Sequence, residues 1–170
     1  MGFMDSRERE RLLERLSAFA LFAYFTPEEL AKTADTVRTR RFKNGDVVFR
    51  EGDLGEELFL VDEGRVAISK AVKGNIEQVL AHLGPGECFG EMAVLEKIPR
   101  TASVSAEEDC VLFVISEDDL MHLMEDEPKA AAKMMFNLLK TFSRRLQATN
   151  EQVREAVRWG LEATGYQPEG

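Results

Sequence analysis

Apolar positions recur at helical spacing at the start of the chain and alternate with polar ones through its middle. Leu12, Leu13, Leu16, Phe19 and Ala20 line one side of a segment whose other side carries the charged run RERER, which predicts a helix over 6–24. A second helix is predicted from Thr26-Pro27-Glu28-Glu29. Thr26 can cap it, Pro27 suits the first helical position, and Glu29 completes a capping box; it is expected to end near Thr36. From Val37 to Ile115 the pattern shortens to alternating segments divided by turn residues. Strands are expected at 37–43, 46–50, 57–62, 65–72, 75–82, 87–89, 101–106 and 110–115. Asn44-Gly45, Gly52-Asp53, Gly55, Glu63-Gly64, Gly74-Asn75 and Gly84-Pro85-Gly86 punctuate them. By the period-two rule Phe49, Leu58, Leu60, Val66 and Ile68 are inward candidates. Many short, evenly spaced strands imply a sandwich or barrel.

One segment breaks the alternation. Residues 90–97, GEMAVLEK, are good helix formers between two strand patterns, and predict a short helix opening at Gly90. Beyond the last strand, Ser116 and the acids after it predict a capped helix to about Met124, with the acids where the helix dipole favours them. Pro128 then opens a long helix over about 129–159. Leu139, Phe142, Leu146, Val153 and Val157 form an apolar seam of near-heptad spacing along it. That seam suits a second helix, with Asn150 setting the register, or packing on the chain's own strands. The closing GYQPEG is expected to fray. The fold class is thus mainly β with flanking helices: helices over 1–36, strands over 37–115, helices over 116–160 and a tail over 161–170.

Composition narrows the function. A chain of 170 residues suits one domain. The net charge of −9, from 22 basic and 31 acidic side chains, argues against a general nucleic-acid surface, which needs a basic face. The charge is uneven. Residues 117–127 carry six acids and no Lys or Arg, and 129–148 carry five bases and no acid. This reads as a solvated helix face or a local anion or partner surface. Cys88 and Cys110 form no metal or redox motif and are expected as buried thiols, which suits a reducing, cytoplasmic setting. The N-terminus lacks a signal-peptide pattern, its MGFMDS fits the myristoylation pattern only loosely, and no apolar run is long enough to span a membrane. His82 and His122 stand far apart with no HxH pair, so neither a metal-dependent enzyme nor a nucleophilic triad is expected.

The candidate chemistry lies in FGEMAVLEKIPRTASV, residues 89–104. The first N–H groups of the short helix lack helical partners and can meet an anion. Gly90 lets backbone approach closely. Arg100 offers a planar fork that grips phosphate bidentately. Glu91 accepts hydrogen bonds and suits sugar hydroxyls. Ala93, Ala102 and Ser103 leave room. A phosphate and a sugar on one small ligand describe a nucleotide. The same residues also permit a merely structural Glu91–Arg100 ion pair across a turn.

FGEMA…PRTASV closely resembles the phosphate-binding cassette of cyclic nucleotide-binding domains. The resemblance extends through KNGDVVFREGDLGEELFLVDEGRVAIS and GPGECFGEM, with Gly45, Gly52, Gly64, Gly86 and Gly90 at the family's turn positions. It covers roughly residues 10–150. It implies an eight-stranded antiparallel β-roll, jelly-roll-like, with a short cassette helix, bracketed by helices. It implies cAMP or cGMP as ligand and no metal: Arg100 would meet the cyclic phosphate and Glu91 the ribose 2′-hydroxyl. Gly90, Met92 and Ala93 would line the sugar, and the Thr101 N–H would reach the phosphate. Thr101 stands where kinase-subunit relatives place Ala, and relatives with Thr there often accept cGMP. A lid over the base is expected from the C-terminal helix near Leu138, Thr141, Phe142 and Arg145, with Thr141 bonding the purine and Arg145 stacking on it.

Catabolite-activator relatives continue into a helix-turn-helix. The few residues after the long helix leave no room for one, so a sensor without a DNA reader is expected, signalling to an unidentified effector protein and able to form a homodimer through its C-terminal helix. The alternative is a degenerate, ligand-free β-roll that serves protein interaction or dimerisation.

Overall fold

The computed structural model describes residues 5–73 and 76–164. The expected Gly74-Asn75 turn, the opening MGFM and the GYQPEG tail lie outside these residues. The chain divides into two compact units, 1–134 and 135–170.

The first unit begins with α1 (Ser6–Ser17), a 3-10 turn (Ala20–Phe22) and α2 (Pro27–Ala34). Eight strands follow: β1 (Arg38–Phe42), β2 (Val47–Phe49), β3 (Glu57–Glu63), β4 (Val66–Lys73), β5 (Ile76–Leu83), β6 (Cys88–Phe89), β7 (Ser103–Ala106) and β8 (Cys110–Ser116). α3 (Glu91–Glu96) interrupts them, and α4 (Glu117–Asp126) and α5 (Pro128–Ala163) close the described chain. All eight expected strands and the short helix therefore form.

The helix expected over 6–24 stops early. Phe19 turns extended, and Tyr24 adopts φ 72°. The bend places Phe19 against Phe113 at 6.0 Å between ring centroids and Phe22 against Phe25 at 5.4 Å. Burial of these rings outweighs the helical preference of the sequence. α2 forms as expected: Thr26 Oγ1 accepts from the Glu29 N–H at 3.2 Å, and the Thr26 N–H donates to the Glu29 carboxylate at 2.7 Å. Ser116 caps α4 in the same way.

The strands pair antiparallel in two four-stranded sheets, β1-β8-β3-β6 and β2-β7-β4-β5. Between the sheets lies a core of Phe59, Val61, Val66, Leu83, Phe89, Val104, Leu112 and Val114, with Phe49 and Ile68 partly buried at its margin. Phe59 and Phe89 stack at 5.1 Å. β3 departs from simple alternation, since Leu58, Phe59, Leu60 and Val61 are each at most 1% exposed. Leu58 and Leu60 oppose Ile115 and Phe113 on β8 and share their face, the one Phe19 covers. Their expected inward orientation is corrected on this point: Phe59 and Val61 face the roll interior, and Leu58 and Leu60 face the other way. The strand is apolar on both sides because the N-terminal segment covers its second face.

Five glycines at the turn positions adopt left-handed φ. At Gly64 the need is steric as well, because a Cβ would stand 2.5 Å from the Asp109 carbonyl oxygen. Cys88 and Cys110 are buried, and burial pushes the Cys110 thiol up while its Sγ donates to the Arg65 carbonyl.

The second unit is the remainder of α5 from residue 135. Leu139, Leu146, Val153 and Val157 of its seam are 56–65% exposed, and Phe142 is half-buried. Among the described residues no helix is long and apolar enough to cross a membrane, and no cluster of His, Cys, Asp or Glu could hold a metal ion.

Candidate anion and sugar site at the cassette

The cassette starts where β6 ends. Gly90 takes φ 82°, which turns the chain out of β6 and into α3. A side chain there is excluded: a Cβ would lie 2.7 Å from Arg100 Nη1 and 2.9 Å from the Glu57 carbonyl oxygen. Glu91, the first residue of α3, is 6% exposed, and Ala93 is buried beside it, while Met92 is 42% exposed. α3 ends at Lys97, which adopts φ 54° and reaches Glu117 of α4 with Nζ 2.6 Å from the carboxylate.

The chain then returns to the roll at Arg100. Its main chain is fixed by the Asp53 turn: the Arg100 N–H donates to the Asp53 carbonyl at 2.8 Å, and the Gly52 N–H donates to the Arg100 carbonyl at 2.8 Å. The side chain is 5% exposed. Nη1 donates to the Gly90 carbonyl and Nη2 to the Glu57 carbonyl, each at 2.9 Å. Nε is buried without a hydrogen-bond partner. The guanidinium lies over the Phe49 ring at 4.1 Å, with the Phe59 ring at 5.6 Å. Burial pulls its pKa below the usual value, while the charges of Glu57, Asp53 and Glu91 act in the opposite sense. An arginine remains charged throughout this range.

Two charged side chains are thus buried within one short loop-helix-loop. Burying charge is unfavourable unless it is paired, and both described hydrogen bonds of Arg100 end on neutral carbonyls. A cleft of about 640 Å³ opens beside the guanidinium, lined by Phe49, Asp53, Gly55, Glu57, Arg100, Ser116 and neighbours. Gly90, Glu91, Met92, Ala93, Thr101 and Ala102 do not line it. Thr101 is exposed, with its hydroxyl 3.9 Å from the Met92 sulfur, and Ala102 is half-buried at the start of the return to β7.

The structure therefore groups Gly90, Glu91, Met92, Ala93, Arg100, Thr101 and Ala102 on one segment of the first unit. Thr141 and Arg145 lie on α5 in the second unit, one turn apart on one side of the helix. The Thr141 hydroxyl donates to the Asn137 carbonyl at 3.1 Å. Phe49, Gly55 and Glu57 were missed by sequence reasoning as neighbours of Arg100. Only the glycine-rich GDLGEEL stretch hinted that something packs closely there. His82 is an exposed partner of Glu107, with Nδ1 2.8 Å from its carboxylate, and His122 is exposed on α4.

The cyclic nucleotide-binding domain model matches residues 39–127, which contain the entire cassette. The Cyclic AMP receptor protein of Thermus thermophilus is 34% identical over 149 residues, spanning 83% of this chain and 67% of that protein. A cAMP-dependent protein kinase regulatory subunit of Hypocrea atroviridis is 36% identical over 117 residues, 68% of this chain and 24% of that subunit. The crystal structure of a cyclic nucleotide-binding domain from Methylobacillus flagellatus superposes with a TM-score of 0.78 at 27% identity, covering 88% of this chain and 84% of that one. The β-roll thus carries a helical cassette with a buried acid and a buried arginine. This chain belongs to the cyclic nucleotide-binding domain family. It spans about a quarter of the kinase subunit that it resembles.

Proposed function

We propose that the protein is a regulatory module that binds cAMP, cGMP or both, without catalysing a reaction, and passes occupancy to a partner through its C-terminal helices. One observation carries this reading: Arg100 is 5% exposed beside an open cleft with its Nε lacking a hydrogen-bond partner, and Glu91 of the same cassette is 6% exposed. A cyclic phosphodiester bears one negative charge, which one guanidinium can neutralise, and the ribose offers hydroxyls to Glu91. The relatives support the same ligand class, since one is named as a receptor for cyclic AMP and another as the regulatory subunit of a cAMP-dependent kinase.

In this reading Gly90, Met92, Ala93 and Ala102 line the sugar and phosphate, and the Thr101 N–H adds a donor. Thr141 and Arg145 contact the base, so α4 and α5 respond to occupancy. The whole chain, 1–170, then acts as a single nucleotide-binding domain in the cytoplasm. The exposed seam of Leu139, Leu146, Val153 and Val157 serves a homodimer or an effector protein, and nucleic acid is not a direct partner. The shift is set by the ligand's preference for one arrangement over the other.

Thermal unfolding with cAMP, cGMP and 5′-AMP tests the binding. At a hundred times the dissociation constant a ligand adds about 2.7 kcal/mol, which raises the midpoint by roughly 5–10 °C for a chain of this size. Shifts with one or both cyclic nucleotides, and little with the dianionic 5′-AMP, are expected. No shift with either cyclic nucleotide at millimolar concentration would leave the second reading, an interaction domain without ligand. That reading draws on the carbonyl partners of Arg100, which satisfy Nη1 and Nη2 from within the protein.

A further inference from the structure

The guanidinium of Arg100 has two edges on which an anion can be gripped, and neither stands open: the Nη pair is bonded to carbonyls and the Nε side is covered by backbone. Nη1 and Nη2 donate to the Gly90 and Glu57 carbonyls at 2.9 Å. The Nε edge rests against Gly55. A Cβ built at Gly55 would stand 2.0 Å from Nε, 2.3 Å from Cζ and 2.6 Å from Nη2. Nε is also buried and has no hydrogen-bond partner. The Phe49 ring lies 4.1 Å from Cζ. A bidentate phosphate contact needs two parallel N–H groups of one edge free at once. The observed position offers no such edge.

We propose that Gly55, Phe49 and the Glu57 carbonyl form a stowage slot that holds Arg100 off its ligand, so that the glycine at position 55 sets how readily the arginine reaches an anion. This rests on the nucleotide-binding reading and adds a control to it. Arg100 exchanges between the slot and a phosphate-facing position. The apparent affinity for cyclic nucleotide is the intrinsic affinity reduced by the fraction of molecules in which Arg100 has left the slot. Gly55 is a positioning residue: it gives the guanidinium room, and any side chain there takes that room away. Its backbone lies outside the left-handed region, and the nearest atoms to an added Cβ all belong to Arg100. An alanine at 55 is therefore admissible to the main chain and intrudes on the arginine first.

The experiment compares the wild type, Gly55→Ala, Phe49→Leu and the double variant Gly55→Ala/Arg100→Leu. Calorimetric titration with cAMP and cGMP gives affinity, and nitrogen-15 NMR of the arginine Nε–H signals follows the slot directly. In the wild type without nucleotide the Arg100 Nε–H is expected to exchange slowly, and in Gly55→Ala rapidly. That difference does not require any nucleotide, so it tests the slot even if neither cyclic nucleotide binds. Gly55→Ala should tighten binding by about threefold to tenfold, and Phe49→Leu, which removes the ring contact, by a smaller factor in the same direction. Placing Gly55→Ala on Arg100→Leu should leave the weak affinity of Arg100→Leu unchanged. Unchanged or weaker binding in both folded single variants would overturn the proposal, because the slot would then be the ligand-competent position. If Gly55→Ala fails to fold, Phe49→Leu alone decides: tighter binding supports the slot, and unchanged or weaker binding overturns it. A fast-exchanging Nε–H in the wild type would overturn it as well.

Discussion

Strand β3 and the cassette lie side by side, but the cassette buries charged side chains where the most deeply buried side chains of the strand are apolar. In β3, Leu58 to Val61 are four successive apolar residues at most 1% exposed, each stabilising the fold by about 1.5–3 kcal/mol. In the cassette, Glu91 and Arg100 are 6% and 5% exposed and carry charge. A buried guanidinium that bonds only carbonyls and leaves Nε unpaired costs stability. The contrast separates what makes the protein fold from what the fold is made to hold. It also predicts that substitutions in the two places have different readouts.

The largest effect is expected in the strand. Leu60→Ala should lower unfolding stability by about 2–5 kcal/mol, measured by urea denaturation, because β3 is packed on both faces. A loss under about 1 kcal/mol would mean that the second face is not sealed by the N-terminal segment. The mirror case is Arg100→Leu. Binding of cyclic nucleotide should weaken at least about thirtyfold, from a loss of about 2–5 kcal/mol, while unfolding stability without ligand stays level or rises. Near-normal affinity by calorimetry would remove the arginine from the proposed site. Glu91→Gln keeps the shape and one acceptor but removes the charge, so about a fivefold to tenfold loss is expected in the same titration. Equal affinities would argue that Glu91 meets no ligand hydroxyl. The smallest effect belongs to Thr101→Ala. It should weaken cGMP by no more than about tenfold and leave cAMP nearly unchanged, since one exposed hydroxyl is at stake. An equal loss for both nucleotides would assign Thr101 to the phosphate or to the strand instead of the base.

Much of the roll was legible along the chain. Alternation and the Gly-based turns placed all eight strands, because turn chemistry and the period of two are local properties. The capping patterns at Thr26 and Ser116 placed α2 and α4 for the same reason. Local pattern failed where distant packing decided. The helix over 6–24 breaks so that Phe19 can meet Phe113, 94 positions away in numbering. The alternation on β3 gave the wrong inward set, since a strand covered on both faces carries no polar side to reveal its orientation. At the cassette, the residue types and the nine-position step from Glu91 to Arg100 marked the segment. They did not reveal that the guanidinium rests on Phe49 and Gly55, or that its donors end on Gly90 and Glu57.

The sequence by itself determined the strand and helix order and the turns. Each of these follows from propensity, periodicity or short-range chemistry within a few positions. Only the tertiary structure decided which face of β3 points into the roll, where the first helix ends, and which contacts the buried arginine makes. Those outcomes depend on segments far apart in the chain closing on one volume, and close packing admits only the arrangement in which their side chains fit together.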